Sequence, residues 1–157
     1  MKWLTDLKLG QTYLITNLST FDLIIELALT TGIKLLVCGN RLPFYEITYK
    51  LARRVGQRYD TILKENIYFS RAETCIQLVD FLSEMQVDAI PILVTDMLAR
   101  FKDEDDDQVD ELFFACQVEL ERLNKETLVF VSANTHPPLE RLEHVLARIT
   151  HKLDDYR

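Results

Sequence analysis

The sequence predicts an α/β fold: a three-layer α/β/α arrangement with a mainly parallel central sheet of about five strands. Three observations lead there. Apolar runs rich in β-branched and aromatic residues alternate along the chain with segments of helical period, the pattern of parallel strands joined through helices. Most helical segments carry their own start or stop residues. At 157 residues and 48% apolar content, the chain suits one sizeable core, so residues 1–157 are expected to form a single domain.

Strands are predicted at residues 12–16, 34–38, 67–69, 90–95 and 127–132. The first helix should start at Ser19 or Thr20, whose hydroxyls cap free amides, and stop at Gly32, which tolerates a left-handed turn. Pro43 suits the first turn of a second helix. There Phe44, Ile47, Leu51 and Val55 form one face, Glu46, Lys50, Arg53 and Arg54 the other, and Gly56 the end. Residues 74–85 repeat the pattern with Ile76, Leu78, Val79 and Leu82 inward. Residues 107–125 make the longest helix, with Leu112, Phe113, Cys116, Leu120 and Leu123 as its stripe and acids near its N-terminus, where the helix dipole favours them. Pro137 and Pro138 open a last helix through Leu139, Leu142, Val145, Leu146 and Ile149.

The formal charge of −7 argues against coating nucleic acid or an anionic membrane through the net field, while leaving room for a local basic patch. No run approaches the roughly 18 apolar residues of a membrane helix, and residues 1–6, MKWLTD, lack the apolar core of a signal peptide. A cytoplasmic location with no membrane contact is the expectation. Cys38, Cys75 and Cys116 are far apart in apolar settings, which suits buried thiols rather than disulfides or a metal site.

Four segments carry a resemblance. Residues 32–40 read GIKLLVCGN, residues 67–78 IYFSRAETCIQL, residues 92–101 ILVTDMLARF and residues 128–134 LVFVSAN. In order and spacing, roughly over residues 10–135, they resemble the ATPase core of RecA-family recombinases, closer to the archaeal and eukaryotic paralogues. The resemblance implies a RecA-like P-loop NTPase fold: a nucleotide loop, a strand ending in a catalytic carboxylate, a Walker-B-like strand and a sensor-like strand.

Departures from that pattern are as informative. Where a phosphate loop would need Gly-x-x-x-x-Gly-Lys-Ser/Thr, residues 17–22 read NLSTFD. Without glycine amides to wrap phosphates or a lysine to neutralise them, the main binding contribution is lost, and Asp22 near the phosphates would repel them. Asn40 stands where the catalytic glutamate belongs, and an amide cannot accept the proton of attacking water. The degenerate nucleotide site would comprise Asn17, Ser19, Thr20, Asp22, Asn40, Asp96 and Asn134. Asp96 either caps the next turn or, as a Walker-B acid, holds magnesium. The loops that should contact DNA are acidic (residues 102–111, KDEDDDQVDE) or short (residues 135–138, THPP), so neither offers phosphates an obvious channel.

Within the acidic run, Asp103, Asp105 and Asp107 match the start of a calcium loop, but Gln108 and Phe114 stand where glycine and glutamate are required, so no metal is expected. His136, His144 and His151 are expected at surface or rim positions, and no Ser-His-Asp grouping is suggested by spacing. Arg41, Lys50, Arg53, Arg54, Arg58 and Lys64, interleaved with tyrosines, form the most basic region. It reads as a solvated face, a nucleic-acid surface, or a docking patch for an acidic partner. No cofactor is expected. The leading expectation is a catalytically silent RecA-like domain, a pseudo-ATPase working by contact with a RecA-like relative or itself and accessory to DNA recombination or repair. The alternatives are a degenerate receiver-like switch with Asp96 as phosphoacceptor, and an ATPase with an unorthodox site.

Overall fold

The computed structural model describes residues 2–15, 20–40, 44–134, 136–137 and 139–153. Its strands are β1 (Thr12–Ile15), β2 (Ile33–Val37), β3 (Ile67–Arg71), β4 (Ile92–Thr95), β5 (Val129–Ser132) and β6 (His151–Lys152). They form one sheet, every pair parallel, in the order β3-β2-β4-β5-β1-β6. Both β4 and β5 therefore stand between β2 and β1.

Strand alternation builds the two cores. Leu14, Leu36, Val94 and Val131 face one side, where they meet Leu78, Leu82, Phe113, Cys116 and Leu142 of α4 (Cys75–Glu84), α5 (Asp106–Asn124) and α6 (Glu140–Ile149). Tyr13, Ile15, Leu35, Val37 and Phe130 face the other, against Leu23, Ile24, Ile47, Leu51 and Ile62 of α1 (Thr20–Thr30), α2 (Phe44–Val55) and α3 (Tyr59–Asn66). The result is the three-layer α/β/α architecture with a parallel sheet.

Local chemistry sets most ends. Gly32 adopts φ +84° and its N–H reaches Leu27 O at 2.8 Å, closing α1 with a left-handed residue. Gly56, at φ +64°, follows the last residue of α2. Thr74 caps α4, its hydroxyl accepting from Gln77 N–H at 3.1 Å. β4 starts later than predicted because Ile90 N–H is held by Asp88 Oδ1 and Pro91 has no N–H to give the ladder.

Several expectations need correction. Ile76 points outward, 57% exposed, because Cys75, Leu78 and Leu82 form the inner stripe of α4. Phe44 is partly exposed and packs against Phe69 with the rings tilted by 45° and their centroids 4.7 Å apart. The sequence pattern predicts neither α3 nor β6. In α3 only Ile62 is fully buried, too little for a visible period, and β6 is two residues defined by their register with Tyr13 and Leu14. Among the described residues no helix is long and apolar enough to cross a membrane.

Candidate functional site at the carboxyl ends of the strands

Open parallel sheets present ligands beyond the carboxyl ends of their strands, where adjacent connections leave to opposite faces. β2 runs on into α2 on one face and β4 into α5 on the other, which makes the β2–β4 junction such a place. A cleft of about 360 Å³ lies there, walled by Thr20, Phe21 and Ile24 of α1 and by Val37, Gly39, Asn40, Thr95, Asp96, Ser132 and Asn134. A larger cleft, about 530 Å³, opens at the amino ends of β1 and β6 around Gly10, Gln11, Arg148 and Thr150. The strand-end cleft is the better candidate because it gathers residues from three strand ends and α1.

Asp96 is its centre. It is the one non-glycine residue with positive φ, +50°, among the described residues. That conformation costs an L-residue roughly 1–2 kcal/mol and is best tolerated by Asp and Asn. What holds it is a set of bonds across β4 and β5. Asp96 N–H donates to Ser132 Oγ at 3.0 Å, and Met97 N–H to Ser132 O at 2.8 Å. The carboxylate, which has only acceptors when ionised, takes Asn134 N–H at 3.2 Å and His136 Nε2 at 2.8 Å, both on Oδ1. Asp96 and His136 are each about five-sixths buried, with side-chain exposures of 16% and 17%. Oδ2 lies against Gly39: a Cβ there would stand 3.1 Å from Oδ2 and 3.3 Å from Asp96 Cβ.

The grouping Ser132, Asp96 and His136 therefore exists, contrary to the expectation from spacing, and His136 is a partner of Asp96 rather than a rim residue. It is not a nucleophilic triad, since the hydroxyl is joined to Asp96 N–H and the imidazole to Asp96. Nor does the Asp96 carboxylate cap the turn that follows; it ties β4 to the segment after β5. The sequence held one clue: so short a connection to α6 keeps His136 near the strand end.

Asn40 is also engaged. Arg100, in the turn after β4, donates from Nη1 to Asn40 Oδ1 at 3.1 Å, from Nη2 to Gly39 O at 3.4 Å and from Nε to Ala72 O at 3.1 Å. Arg71, ending β3, donates from Nη2 to Asn40 O at 3.3 Å. Arg71 opens the RAETCIQL part of the resembling segments and Arg100 lies in ILVTDMLARF, but the sequence gives neither arginine a role in a site. Asp22, expected beside the phosphates, instead faces α2, where Lys50 Nζ approaches its Oδ1 to 3.1 Å. Thr20 begins α1 at the cleft wall, and Asn134 contributes its main-chain N–H. Asn17, Ser19 and Arg41 lie outside the described residues.

Three cations of the basic region are paired within the chain. Lys50 pairs with Asp22, Arg54 with Glu26 at 3.7 Å and Lys64 with Asp60 at 3.0 Å. Arg53 lies over the Tyr49 ring and bonds its hydroxyl at 3.3 Å, and Arg58 ends the short turn between α2 and α3. Such exposed pairs add little stability, but they lower the free positive charge available to a polyanion. Asp103, Asp105 and Asp107 run through a single 3-10 turn into the start of α5, and among the described residues no three His, Cys, Asp or Glu side chains gather as a metal group.

All three thiols are buried and free. Burial pushes Cys38 and Cys75 up to about 12, aided by the charges of Asp96 on the first and of Glu104 and Asp103 on the second. Cys116 is raised further, again by burial. None offers a nucleophile near neutral pH. No protein-family model matches the chain, and no curated protein matches it either.

Proposed function

We propose that the protein is a catalytically silent RecA-like domain that works by contact, with a protein partner that is a RecA-like relative or a second copy, in a role accessory to DNA recombination or repair. The observation that carries this reading is that the polar groups at the strand-end cleft are committed to one another. Asp96, the Walker-B-like acid, holds His136 and Asn134, and Asn40, at the catalytic-carboxylate position, holds Arg100. With two donors on Oδ1, Asp96 has Oδ2, the oxygen beside Gly39, left for magnesium, and Asn40 Oδ1 is already taken by Arg100. The strand order supports the RecA likeness, since that fold calls for the Walker-B-like β4 between β1 and β2. Isothermal titration with ATP and magnesium tests the reading: no heat of binding at micromolar concentrations is expected, and a micromolar dissociation constant overturns it.

One observation favours a second reading, a receiver-like switch. Asp96 ends a central strand with the Ser132 hydroxyl on its N–H, as a phosphoacceptor and a sensing hydroxyl would stand. Against it, Oδ1 is already occupied, Gly39-Asn40 replaces the acids that would hold magnesium, and β1, earlier in the chain than β2, fills a place in the sheet between β5 and β6. Beryllofluoride with magnesium separates the two: amide shifts at Asp96 and Ser132 support the switch, and an unchanged spectrum supports the silent domain.

A further inference from the structure

Arg71 and Arg100 converge on Asn40 from the ends of β3 and β4, one on its main-chain oxygen at 3.3 Å and the other on its side-chain oxygen at 3.1 Å. Both are half-buried, and among the described residues neither has a carboxylate within 4.0 Å. Arg71 Nε is buried with no hydrogen-bond partner. Arg100 satisfies its donors only with neutral oxygens of Gly39, Asn40 and Ala72. Asp96 stands across Gly39 with Oδ1 committed to His136. Two guanidinium groups partly withdrawn from water and bonded to one asparagine, with no carboxylate in ion-pair contact among the described residues, leave positive charge that an anion can join.

We propose that Arg71 and Arg100 bind an oxyanion, a carboxylate or phosphate group, over Asn40 at the carboxyl ends of β2, β3 and β4. A guanidinium presents parallel N–H donors to two oxygens of one such group, and the second guanidinium supplies the remaining charge. Arg71 is the adjustable arm: a side-chain rotation exchanges its single bond to Asn40 O for the ligand and brings the orphaned Nε into use. Arg100, held by three oxygens, is the fixed arm. The source is either an acidic side chain of a partner, for which the arginines are an anchor, or a free phosphate. This site goes beyond the silent-domain reading and stands separately from it, because ATP can fail to bind in the cleft while the arginines hold an anion.

The test is side-chain NMR of the arginine Nε–H groups in the full chain, titrated with inorganic phosphate in one arm, glutarate in the second and sodium chloride at matched ionic strength in the third. Saturable shifts of Arg71 and Arg100 are expected with a dissociation constant of about 1 mM or tighter, and the tighter arm identifies the source. Arg71→Gln should weaken binding at least about tenfold, and Arg71→Lys, which keeps the charge without the fork, should fall between. Amide spectra of both variants verify the fold, and Arg71→Lys carries the test if Arg71→Gln does not fold. Shifts no larger than those with chloride, or unchanged affinity in the folded variants, overturn the proposal.

Discussion

Removing the Asp96 carboxylate should cost more than a typical surface change, and the cost should depend on His136. Asp96→Ala deletes the acceptor for Asn134 N–H at 3.2 Å and for His136 Nε2 at 2.8 Å, in a pair about five-sixths buried. Hydrogen bonds to a charged group contribute roughly 1.5–3 kcal/mol each, and overlap between two bonds on one oxygen brings the expected loss to about 2–4 kcal/mol. For a chain of this size that lowers Tm by about 4–16 °C. Asp96→Gly loses the same bonds but relieves the φ of +50°, so it should be more stable than Asp96→Ala by about 1 kcal/mol. Urea unfolding of Asp96→Ala, His136→Ala and the double variant closes a mutant cycle. A coupling of about 1–3 kcal/mol is expected. Additivity within about 0.5 kcal/mol would refute the pair as the element that joins β4 to the segment before α6.

Other expectations follow from neighbouring features. Gly39→Ala should destabilise by about 1–2 kcal/mol, since its Cβ would press on an Asp96 that His136 and Asn134 hold in place; unchanged or raised stability in urea contradicts that contact. The cysteines should resist a disulfide-exchange reagent at pH 8 in the folded protein and react in denaturant, a count of thiols released in each state being the check. The same burial makes stability fall on the alkaline side. Above the ordinary thiol value of 9.0 the unfolded chain releases protons that folded Cys38 and Cys75 keep until about 12, so their contribution is present below pH 9 and lost across that window. A flat unfolding midpoint between pH 8.5 and 10.5, on the order of the half-way span, contradicts this.

The architecture was legible because parallel strands advertise themselves. Leu35, Leu36 and Val37 are apolar in succession since both faces of β2 are covered, and the helix stripes of α1 and α5 keep a clear period. α3 is not legible because a helix that fully buries one side chain leaves no pattern, and β6 because two residues acquire strand character only from the strand beside them. The site was half visible. Asp96 and Asn40 stand at strand ends that order and spacing reveal, whereas His136, Arg71 and Arg100 join them through the fold, at sequence separations of 40, 31 and 60 residues. For the basic region the sequence shows the cations but not their acid partners, since Asp22 and Glu26 lie on α1, 28 residues before Lys50 and Arg54.

On the proposed reading the strand-end cleft is committed to internal bonds and does not take nucleotide. The most direct test of that reading is an amide NMR titration with ATP and magnesium, read at Gly39, Asn40, Asp96 and Asn134. Those resonances should stay in place, within the change caused by magnesium chloride alone, through millimolar nucleotide. A saturable shift centred on them, with a micromolar midpoint, would mean that the cleft takes nucleotide despite those bonds, and the silent domain would be refuted.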